Sequence, residues 1–446
     1  MSPLPTTREV SLPWGRLLSV VGLLTVVIAA WFGGAKLLDA LTVHPGVIVT
    51  AVALIGVGEL LRAHLPSGRV LAPLSTATTL SVATLADIND HASFDVSASV
   101  VVLIVAAGQA LALVVRRRLD PDAGEANRLL AAALVAWVWR GIPVDGSTLW
   151  SLHASQTAPR WEAAVWLVGA AALGLVAERV INGLIRSLQL HTSLVTSLGD
   201  EFQQALPFTW ALVSPPPIAT LIVPVTGVIG LPLALMPVAL TLVAVRRYAA
   251  VELTFRQTIR TLSRLTEEGG YTPREHARRT AQLGRAVAQR LDLPDREVRE
   301  VEYAALLHDL GQLTLTAPIP RGATVLAAPS DQRTIAHTGA AIIRHGTQLD
   351  RVAALVERQA TPYRAVVELT EDVPMAARIL KVVNAFDDHT GGQRSQASIS
   401  AAIERIHLGL GYEYDPSVVA ALESVVATRP WQPVPGAARQ QGSDPS

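Results

Sequence analysis

The sequence predicts an all-α protein in two parts, a polytopic membrane domain followed by a soluble helical domain. Half of the 446 residues are hydrophobic, and the long apolar runs lie within roughly the first 245. After residue 274, apolar side chains recur every three or four positions, which is the spacing of one helix face. No run in that second part alternates between apolar and polar residues as a half-buried strand would.

The first part contains enough apolar sequence for several membrane spans. A helix needs about 20 mostly apolar residues to cross a bilayer. The runs that qualify are 17–33, 45–61, 70–86, 96–115, 128–143, 161–177 and 206–245, and the last is long enough for two spans. We therefore expect about eight spans in a membrane domain at residues 1–246, with six or seven as the alternative. No cleavage site follows the first run, which is typical of a true span rather than a signal peptide.

Basic residues predict the orientation of these spans. Arg116, Arg117 and Arg118 directly follow the fourth run, whereas the loop before that run carries Asp87, Asp90 and Asp95. With eight spans, most arginines of this part fall on one side of the bilayer, and the positive-inside rule assigns that side to the cytoplasm. The sequence thus predicts a multi-pass protein of the cell membrane, with the lipid bilayer as a partner and both termini cytoplasmic.

Two charged residues lie within or beside predicted spans. Glu59 is near the end of the second run and Arg140 near the end of the fifth. Charges inside a membrane often mark a sensory or transport pathway. The alternative, which we favour from the sequence alone, is that both side chains extend from span ends to the membrane surface.

Composition excludes some chemistries and argues against others. The chain has no cysteine, which excludes disulfides and thiolate metal sites. Its formal net charge is zero, which argues against a nucleic acid polymer as partner.

A helix with one apolar face is predicted to join the two parts at residues 247–270. Its stripe is Val251, Phe255, Ile259, Leu262 and Leu265, and Gly269 and Gly270 follow it. Such a stripe could pair with a second copy in a homodimer, or it could pack on its own domain. The sequence does not separate these alternatives.

The second part, residues 271–429, is predicted to be a helical domain. Periodic segments at 275–291, 296–309, 331–345, 350–359, 374–389, 398–409 and 415–427 predict helices. Residues 313–330 are rich in Pro, Thr and Gly and predict a loop. Residues 430–446 are rich in Pro, Gly, Gln and Ser, which favours a disordered tail.

A candidate metal-binding pair stands at the end of one of these helices. Residues 304–312 read Ala-Ala-Leu-Leu-His-Asp-Leu-Gly-Gln, so that His308 and Asp309 end an apolar helical run and Gly311 breaks it. An imidazole and a carboxylate side by side can bind one divalent metal. The glycine allows the chain to turn away sharply.

This block forms part of a wider pattern that resembles a known family. Together with Tyr271-Thr272, His276, His337 and the stretches 382–387 and 414–419, it is similar to the HD-GYP branch of the HD metal-dependent phosphohydrolases. The resemblance covers about residues 255–428. It implies a helical bundle that holds two or three metal ions, often iron or manganese, and cleaves a phosphodiester, usually cyclic di-GMP. Such domains commonly follow membrane sensor modules, which implies a role in signal transduction.

The resemblance also implies roles for individual residues. The implied metal ligands are His276, His308, Asp309 and His337, with Asn384 at the position of the late ligand Asp. Asp309 is the implied catalytic residue, and Gln312 is the implied substrate-binding residue. For His276, the neighbouring arginines leave a solvated side chain as an equal alternative, and for His337 a core position is slightly favoured over ligation.

The chain departs from this family at several functional positions. The paired histidines are missing, since residues 356–360 read Val-Glu-Arg-Gln-Ala, and the Gly-Tyr-Pro loop is absent. Asn384 replaces a ligand Asp, and Gln312 replaces a Lys that contacts substrate phosphate. A neutral amide binds a hard cation more weakly than a carboxylate does. We therefore expect a degenerate site with one divalent metal ion rather than two.

Three hypotheses about function remain open from the sequence. In the first, the chain is a membrane signalling enzyme that hydrolyses a phosphoester or cyclic dinucleotide with one metal. In the second, the HD-type domain is a catalytically inactive binding or regulatory module. In the third, the chain is a transporter with a regulatory tail, although few intramembrane charges and no evident repeat count against it.

Overall fold

The chain divides into two compact units, which we describe separately. The computed structural model describes residues 13–64, 70–89, 92–117, 122–144, 146–155, 160–190, 192–346 and 349–428. The N-terminal unit comprises residues 1–189 and 197–253, and the C-terminal unit comprises residues 190–196 and 254–446. The tail expected at 430–446 lies outside the described residues.

The N-terminal unit is built from helices and three short antiparallel hairpins. Its helices are α1 (Pro13–Val43), α2 (Pro45–Leu60), α3 (Pro73–Thr84), α4 (Ala98–Val115), α5 (Ala123–Gly141), α6 (Leu149–Ala154), α7 (Arg160–Leu190), α8 (Leu194–Val213), α9 (Pro215–Thr226), α10 (Gly230–Ala234) and the first part of α11 (Met236–Glu268). The hairpins are β1 (Ala63–His64) with β2 (Val70–Leu71), β3 (Asp87–Asn89) with β4 (Ala92–Ser93), and β5 (Pro143–Val144) with β6 (Ser147–Thr148).

The described residues contain four stretches that are long and apolar enough to cross a membrane. They are Trp14–Val43, Ala98–Val115, Trp161–Leu190 and Phe208–Glu268, and they indicate a membrane protein. In the part of the chain that the structure describes, these stretches do not clearly amount to the expected eight spans. The run at 70–86 forms α3, which has only 12 residues. At a rise of about 1.5 Å per residue it extends about 18 Å, short of the roughly 30 Å of a hydrocarbon core.

The short helix α3 lies in the middle of the N-terminal unit. It contacts α2, α4, α5 and α9, and its residues from Ser75 to Thr84 are all buried. Next to its first turn, Glu59 is completely buried and accepts hydrogen bonds from Arg128 at 2.6 and 2.8 Å and from Ser75 at 2.7 Å. Our expectation that Glu59 extends to the membrane surface is wrong, because its charge is neutralised inside the unit.

The other predicted charge, Arg140, is also bonded inside this unit. Its guanidinium donates to the carbonyl of Ala83 at 2.9 Å and to that of Val96 at 3.0 Å. It thereby satisfies carbonyls at the end of α3 and in the chain after β4. The expectation of a surface-seeking side chain is wrong here as well.

The C-terminal unit contains no strand among its described residues. After the second part of α11 its helices are α12 (His276–Arg290), α13 (Asp295–Leu307), α14 (Pro329–Arg344), α15 (Asp350–Arg358), α16 (Tyr363–Glu368), α17 (Met375–Thr390), α18 (Gln396–His407) and α19 (Pro416–Thr428). The expected loop at 313–330 contains two single 3₁₀ turns, Pro320–Gly322 and Thr324–Leu326. All-helical architecture in this part is confirmed.

One hydrophobic core holds this unit together, and α12, α13 and α17 contact one another within it. The connecting helix α11 contributes Ile259, which is 1% exposed, while Phe255 and Leu262 pack against the same core. Val251 and Leu265 are exposed. Of the two alternatives for the apolar stripe, the structure supports packing on its own domain.

Candidate metal centre

Helix ends bring three candidate ligands together in the C-terminal unit. His276 is the first residue of α12, and Glu275 before it has a positive φ of 62° that turns the chain into the helix. His308 and Asp309 follow the last residue of α13. Gly311 makes a tight crossing possible, because a Cβ there would collide with the Ile335 carbonyl of α14. Gly311 is therefore needed because this segment approaches α14 closely, and not because of the sharp turn that the sequence suggests.

The ligand atoms of these residues face one another. His276 Nε2 lies 3.3 Å and His308 Nε2 lies 3.1 Å from Asp309 Oδ2, and the two Nε2 atoms are 3.4 Å apart. From α17, Asn384 Oδ1 lies 3.0 Å from His308 Nε2. All three members of the His-His-Asp group are at least 97% buried.

The far sides of both imidazoles are fixed by hydrogen-bond acceptors. His308 Nδ1 is 3.0 Å from the Ala305 carbonyl, and His276 Nδ1 is 2.7 Å from Asp387 Oδ2. A proton on Nδ1 of each ring satisfies these acceptors and leaves the Nε2 lone pair for a metal. In that tautomer both Nε2 atoms, Asp309 Oδ2 and Asn384 Oδ1 face one another as acceptors, and a cation between them would bind all four.

In the metal-free protein a proton provides that cation. Burial opposes charge on His276, but hydrogen bonds with Asp309 and Asp387 raise its pKa well above the ordinary 6.5. Burial and the charge of His276 lower the pKa of His308. Burial opposes ionisation of Asp309, but His308 and His276 outweigh it and lower its pKa to about 2.

The residues fit one divalent metal. Ligand bonds of about 2.0–2.2 Å place neighbouring ligand atoms about 2.9–3.5 Å apart at tetrahedral or octahedral angles. The observed separations of 3.1, 3.3 and 3.4 Å fall in that range. Asp309 Oδ2 is also a buried oxygen that accepts no hydrogen bond of regular geometry, and the imidazoles of His276 and His308 lie next to it. A metal bound by His276, His308 and Asp309 would satisfy it.

The other oxygen of Asp309 is held by neutral donors. Gln312 Nε2 donates to Asp309 Oδ1 at 2.8 Å, and Thr324 Oγ1 donates to it at 3.1 Å. Gln312 is completely buried, and we find its amide on Asp309 rather than at a surface that a substrate would reach. Its role in substrate binding stays a prediction.

His337 is not brought to this centre. Its side chain on α14 is 73% exposed, and its Nδ1 lies 3.0 Å from Glu357 Oε1 of α15. Arg344 also contacts Glu357, so the three side chains form a cluster at the surface. Neither alternative weighed from the sequence, ligand or core residue, describes this position, because its side of α14 faces solvent.

At the segment 356–360, where the resemblance implies paired histidines, this chain has a side chain that contacts the backbone of a candidate ligand. Gln359 Nε2 donates to the His308 carbonyl at 3.0 Å. Among the described residues, only His276, His308 and Asp309 form a group that could hold a metal. This is consistent with the expectation of one ion.

The sequence analysis does not predict two residues that lie behind His276, namely Arg279 and Asp387. The arginines beside His276 suggest a solvated helix face, yet Arg279 is 9% exposed and donates two hydrogen bonds to Asp387. Asp387 in turn holds His276. The only signal in the sequence is the spacing of three, His-x-x-Arg on one helix and Asn-x-x-Asp on another, which places each pair on one helix face.

A buried carboxylate next to these residues has an unusual pKa. Asp388 Oδ1 lies 3.9 Å from His276 Nδ1, and Asp388 Oδ2 accepts from the Val325 N–H at 3.2 Å. Burial raises the pKa of Asp388 to about 7, and the charge of Asp309 adds to this rise while His276 opposes it. Asp388 faces the Nδ1 side of His276, which is the side away from the candidate metal.

Comparison with known proteins agrees with this geometry. The family model of the HD domain matches residues 260–418, so the C-terminal part of the chain carries an HD domain. HD domains bind divalent metals, in keeping with the His-His-Asp group. No curated protein and no solved structure matches the chain.

Proposed function

We propose that this chain is a membrane-bound signalling protein whose HD domain binds one divalent metal and hydrolyses a phosphoester. The observation that carries the proposal is the convergence of His276 Nε2, His308 Nε2 and Asp309 Oδ2 in a buried position. Iron or manganese suits a set of two imidazoles and a carboxylate.

Each residue of the centre would have a different role toward a bound metal. A metal held there would lower the pKa of a bound water and neutralise phosphate oxygens. His276 and His308 would each offer a neutral nitrogen to the metal, and Asp309 would offer a negatively charged oxygen. Asn384 Oδ1 would offer a neutral oxygen as a fourth ligand. Gln312 and Thr324 keep Asp309 oriented through its second oxygen.

The substrate class follows from the charges beside the site. The resemblance to the HD-GYP branch supports cyclic di-GMP, but the family Lys is replaced by Gln312, which offers no positive charge to a phosphate. We therefore propose that the substrate is a phosphoester with few negative charges. A simple phosphodiester should be hydrolysed in preference to a cyclic dinucleotide. The lipid bilayer is the proposed partner of the N-terminal unit, a homodimer remains a proposal, and a nucleic acid polymer is not expected.

A second candidate is a binding or regulatory module without catalysis, and one observation favours it. The ligands are enclosed, since Thr324 bonds to Asp309 and Val325 bonds to Asp388. Structural metal sites are closed, whereas catalytic sites keep an open position for water or substrate. For hydrolysis to occur, the segment 322–325 must move away from these two carboxylates.

One experiment separates the two candidates. The full chain, purified in detergent and loaded with Mn²⁺ or Fe²⁺, is assayed with bis(p-nitrophenyl) phosphate, p-nitrophenyl phosphate and cyclic di-GMP. Hydrolysis should occur and should fall by more than about 100-fold in His308→Ala, because a ligand is lost. His345→Ala, an exposed histidine outside the centre, is the matched control and should retain activity. Metal binding without hydrolysis of any substrate would establish the binding module instead.

A further inference from the structure

A histidine can serve as a metal ligand through Nε2 only if its proton resides on Nδ1. Free imidazole does not favour that tautomer strongly, so proteins fix it with an acceptor behind the ring. Behind His276 this acceptor is Asp387 Oδ2, 2.7 Å from Nδ1. Behind His308 it is only a backbone carbonyl of its own helix, that of Ala305. The two ligands are therefore oriented by different means, and only His276 depends on a side chain.

The carboxylate of Asp387 is itself immobilised. Arg279 Nε donates to Asp387 Oδ1 at 2.8 Å and Arg279 Nη2 donates to Asp387 Oδ2 at 2.7 Å, a two-bonded geometry that fixes the carboxylate plane. Arg279 Nη1 also donates to the Arg274 carbonyl at 2.8 Å. Gly392 lies so close that a Cβ would come within 2.8 Å of the guanidinium carbon, which leaves Arg279 little freedom.

The negative charge of Asp387 is neutralised by its ion pair with Arg279. Asp387 is 6% exposed and would carry an uncompensated negative charge without Arg279. With Arg279 bound, it remains an ionised acceptor for His276 and has no free oxygen to become a ligand in place of Asn384. The pairs His276/Arg279 on α12 and Asn384/Asp387 on α17 thus face each other with one member of each pair at the metal side.

We infer that Asp387 and Arg279 are positioning residues that hold His276 as a metal ligand and thereby set the metal affinity of this centre. The inference rests on the metal site of the proposed function. It concerns the holding of the ligand, so it does not require that the bound metal be catalytic.

The test measures metal binding rather than activity. The full chain in detergent is titrated with Co²⁺ after chelator treatment, and the visible d–d absorption reports both occupancy and ligand geometry. Asp387→Asn and Arg279→Ala should each weaken Co²⁺ binding by about 10–100-fold and change the spectrum, as lost orienting groups do. Arg278→Ala is the matched control, because Arg278 is the neighbouring residue, is exposed and pairs with Glu275 at 2.9 Å. It should bind as the wild type does.

A second measurement is made on the folded wild type, and a variant serves only to assign the signals. Solid-state ¹⁵N NMR of the Zn²⁺-loaded, ¹⁵N-histidine-labelled chain, with His276→Asn for assignment, should show Nδ1 of His276 protonated and Nε2 metal-bound. The inference is overturned if Nδ1 is the metal-bound nitrogen, or if Asp387→Asn binds Co²⁺ within twofold of the wild type with the same spectrum.

The outcomes separate this inference from the proposed function. Co²⁺ binding that depends on Asp387, in a chain without hydrolytic activity, supports the inference and contradicts the proposed function. Hydrolysis with unchanged binding in Asp387→Asn contradicts only the inference. A wild-type chain that binds no Co²⁺ contradicts both.

Discussion

At the scale of single residues, the centre is a place where a proton and a metal compete. Two imidazole nitrogens and one carboxylate oxygen lie within 3.4 Å of one another, and a cation must separate them. Without metal, His276 holds a proton because its pKa is raised by Asp309 and Asp387 against the effect of burial. Metal binding must displace that proton.

Metal affinity should therefore depend on pH. Below the raised pKa of His276, each unit of decrease in pH should weaken Mn²⁺ or Co²⁺ binding by about tenfold, because one proton is released on binding. Above that pKa the affinity should level off. Titrations of the full chain between pH 6 and pH 9 measure this dependence. A flat profile across that range would mean that His276 carries no competing proton.

Asp388 should make the stability of the metal-free C-terminal unit depend on pH in the opposite way from an ordinary ion pair. Its pKa is raised from 3.8 to about 7 in the folded state, chiefly by burial. The stabilisation is complete below about pH 4 and is lost as the pH rises through about 7, because folding then buries a charge. The loss should amount to about 2–4 kcal/mol.

Asp388→Asn removes this titration and should reduce the pH dependence in that window, leaving the part that the raised pKa of His276 contributes. Pulse proteolysis of the chelator-treated full chain at increasing urea concentrations, at pH 5 and pH 8, measures the difference. Asp372→Asn, an exposed carboxylate of the same unit, serves as control and should keep the wild-type dependence. Equal pH dependence in Asp388→Asn and the wild type would show that another group is responsible.

At the scale of elements, α11 belongs to the core of the C-terminal unit through its buried face. Ile259 is 1% exposed, whereas Leu265, farther along the same helix, is 49% exposed. Ile259→Ala should cost about 2–4 kcal/mol of unfolding free energy through lost burial and a cavity. Leu265→Ala should cost less than about 1 kcal/mol. Urea midpoints from pulse proteolysis compare them, and similar losses would argue against this packing.

Helical periodicity predicted most elements of the C-terminal unit, but not all of the molecule. The helix from 275 to 291 and α12 (His276–Arg290) nearly coincide, because its apolar positions face one core. The six-residue helix α16 was missed because it is too short to show a period. The run at 70–86 was taken for a span because composition does not reveal that α3 ends after 12 residues.

The site could be predicted only where its residues adjoin in sequence or match a pattern. His308 and Asp309 are neighbours at a helix end, and their apolar surroundings signalled burial. The hydrogen bonds of Arg279 with Asp387 join residues that are 108 positions apart, and no local sequence pattern predicts such a contact. His337 was misjudged because its side of α14 is decided by tertiary packing.

At the scale of the whole molecule, the orientation in the membrane remains a prediction that the chain makes easy to test. It has no cysteine, so any single introduced cysteine is the only reactive thiol. A membrane-impermeant maleimide added to intact cells should label Ser93→Cys, in the acidic loop expected outside. Thr258→Cys on α11 should react only after permeabilisation. The reverse pattern would invert the predicted topology.

The most direct test of the central claim is the metal content per chain. The full protein, purified without chelator, is compared by mass spectrometry of its metals with the variant that combines His308→Ala and Asp309→Ala. The account predicts about one divalent ion per wild-type chain, as one His-His-Asp group allows, and none above background in the variant. Equal metal content in the two proteins, or none in either, would contradict the account.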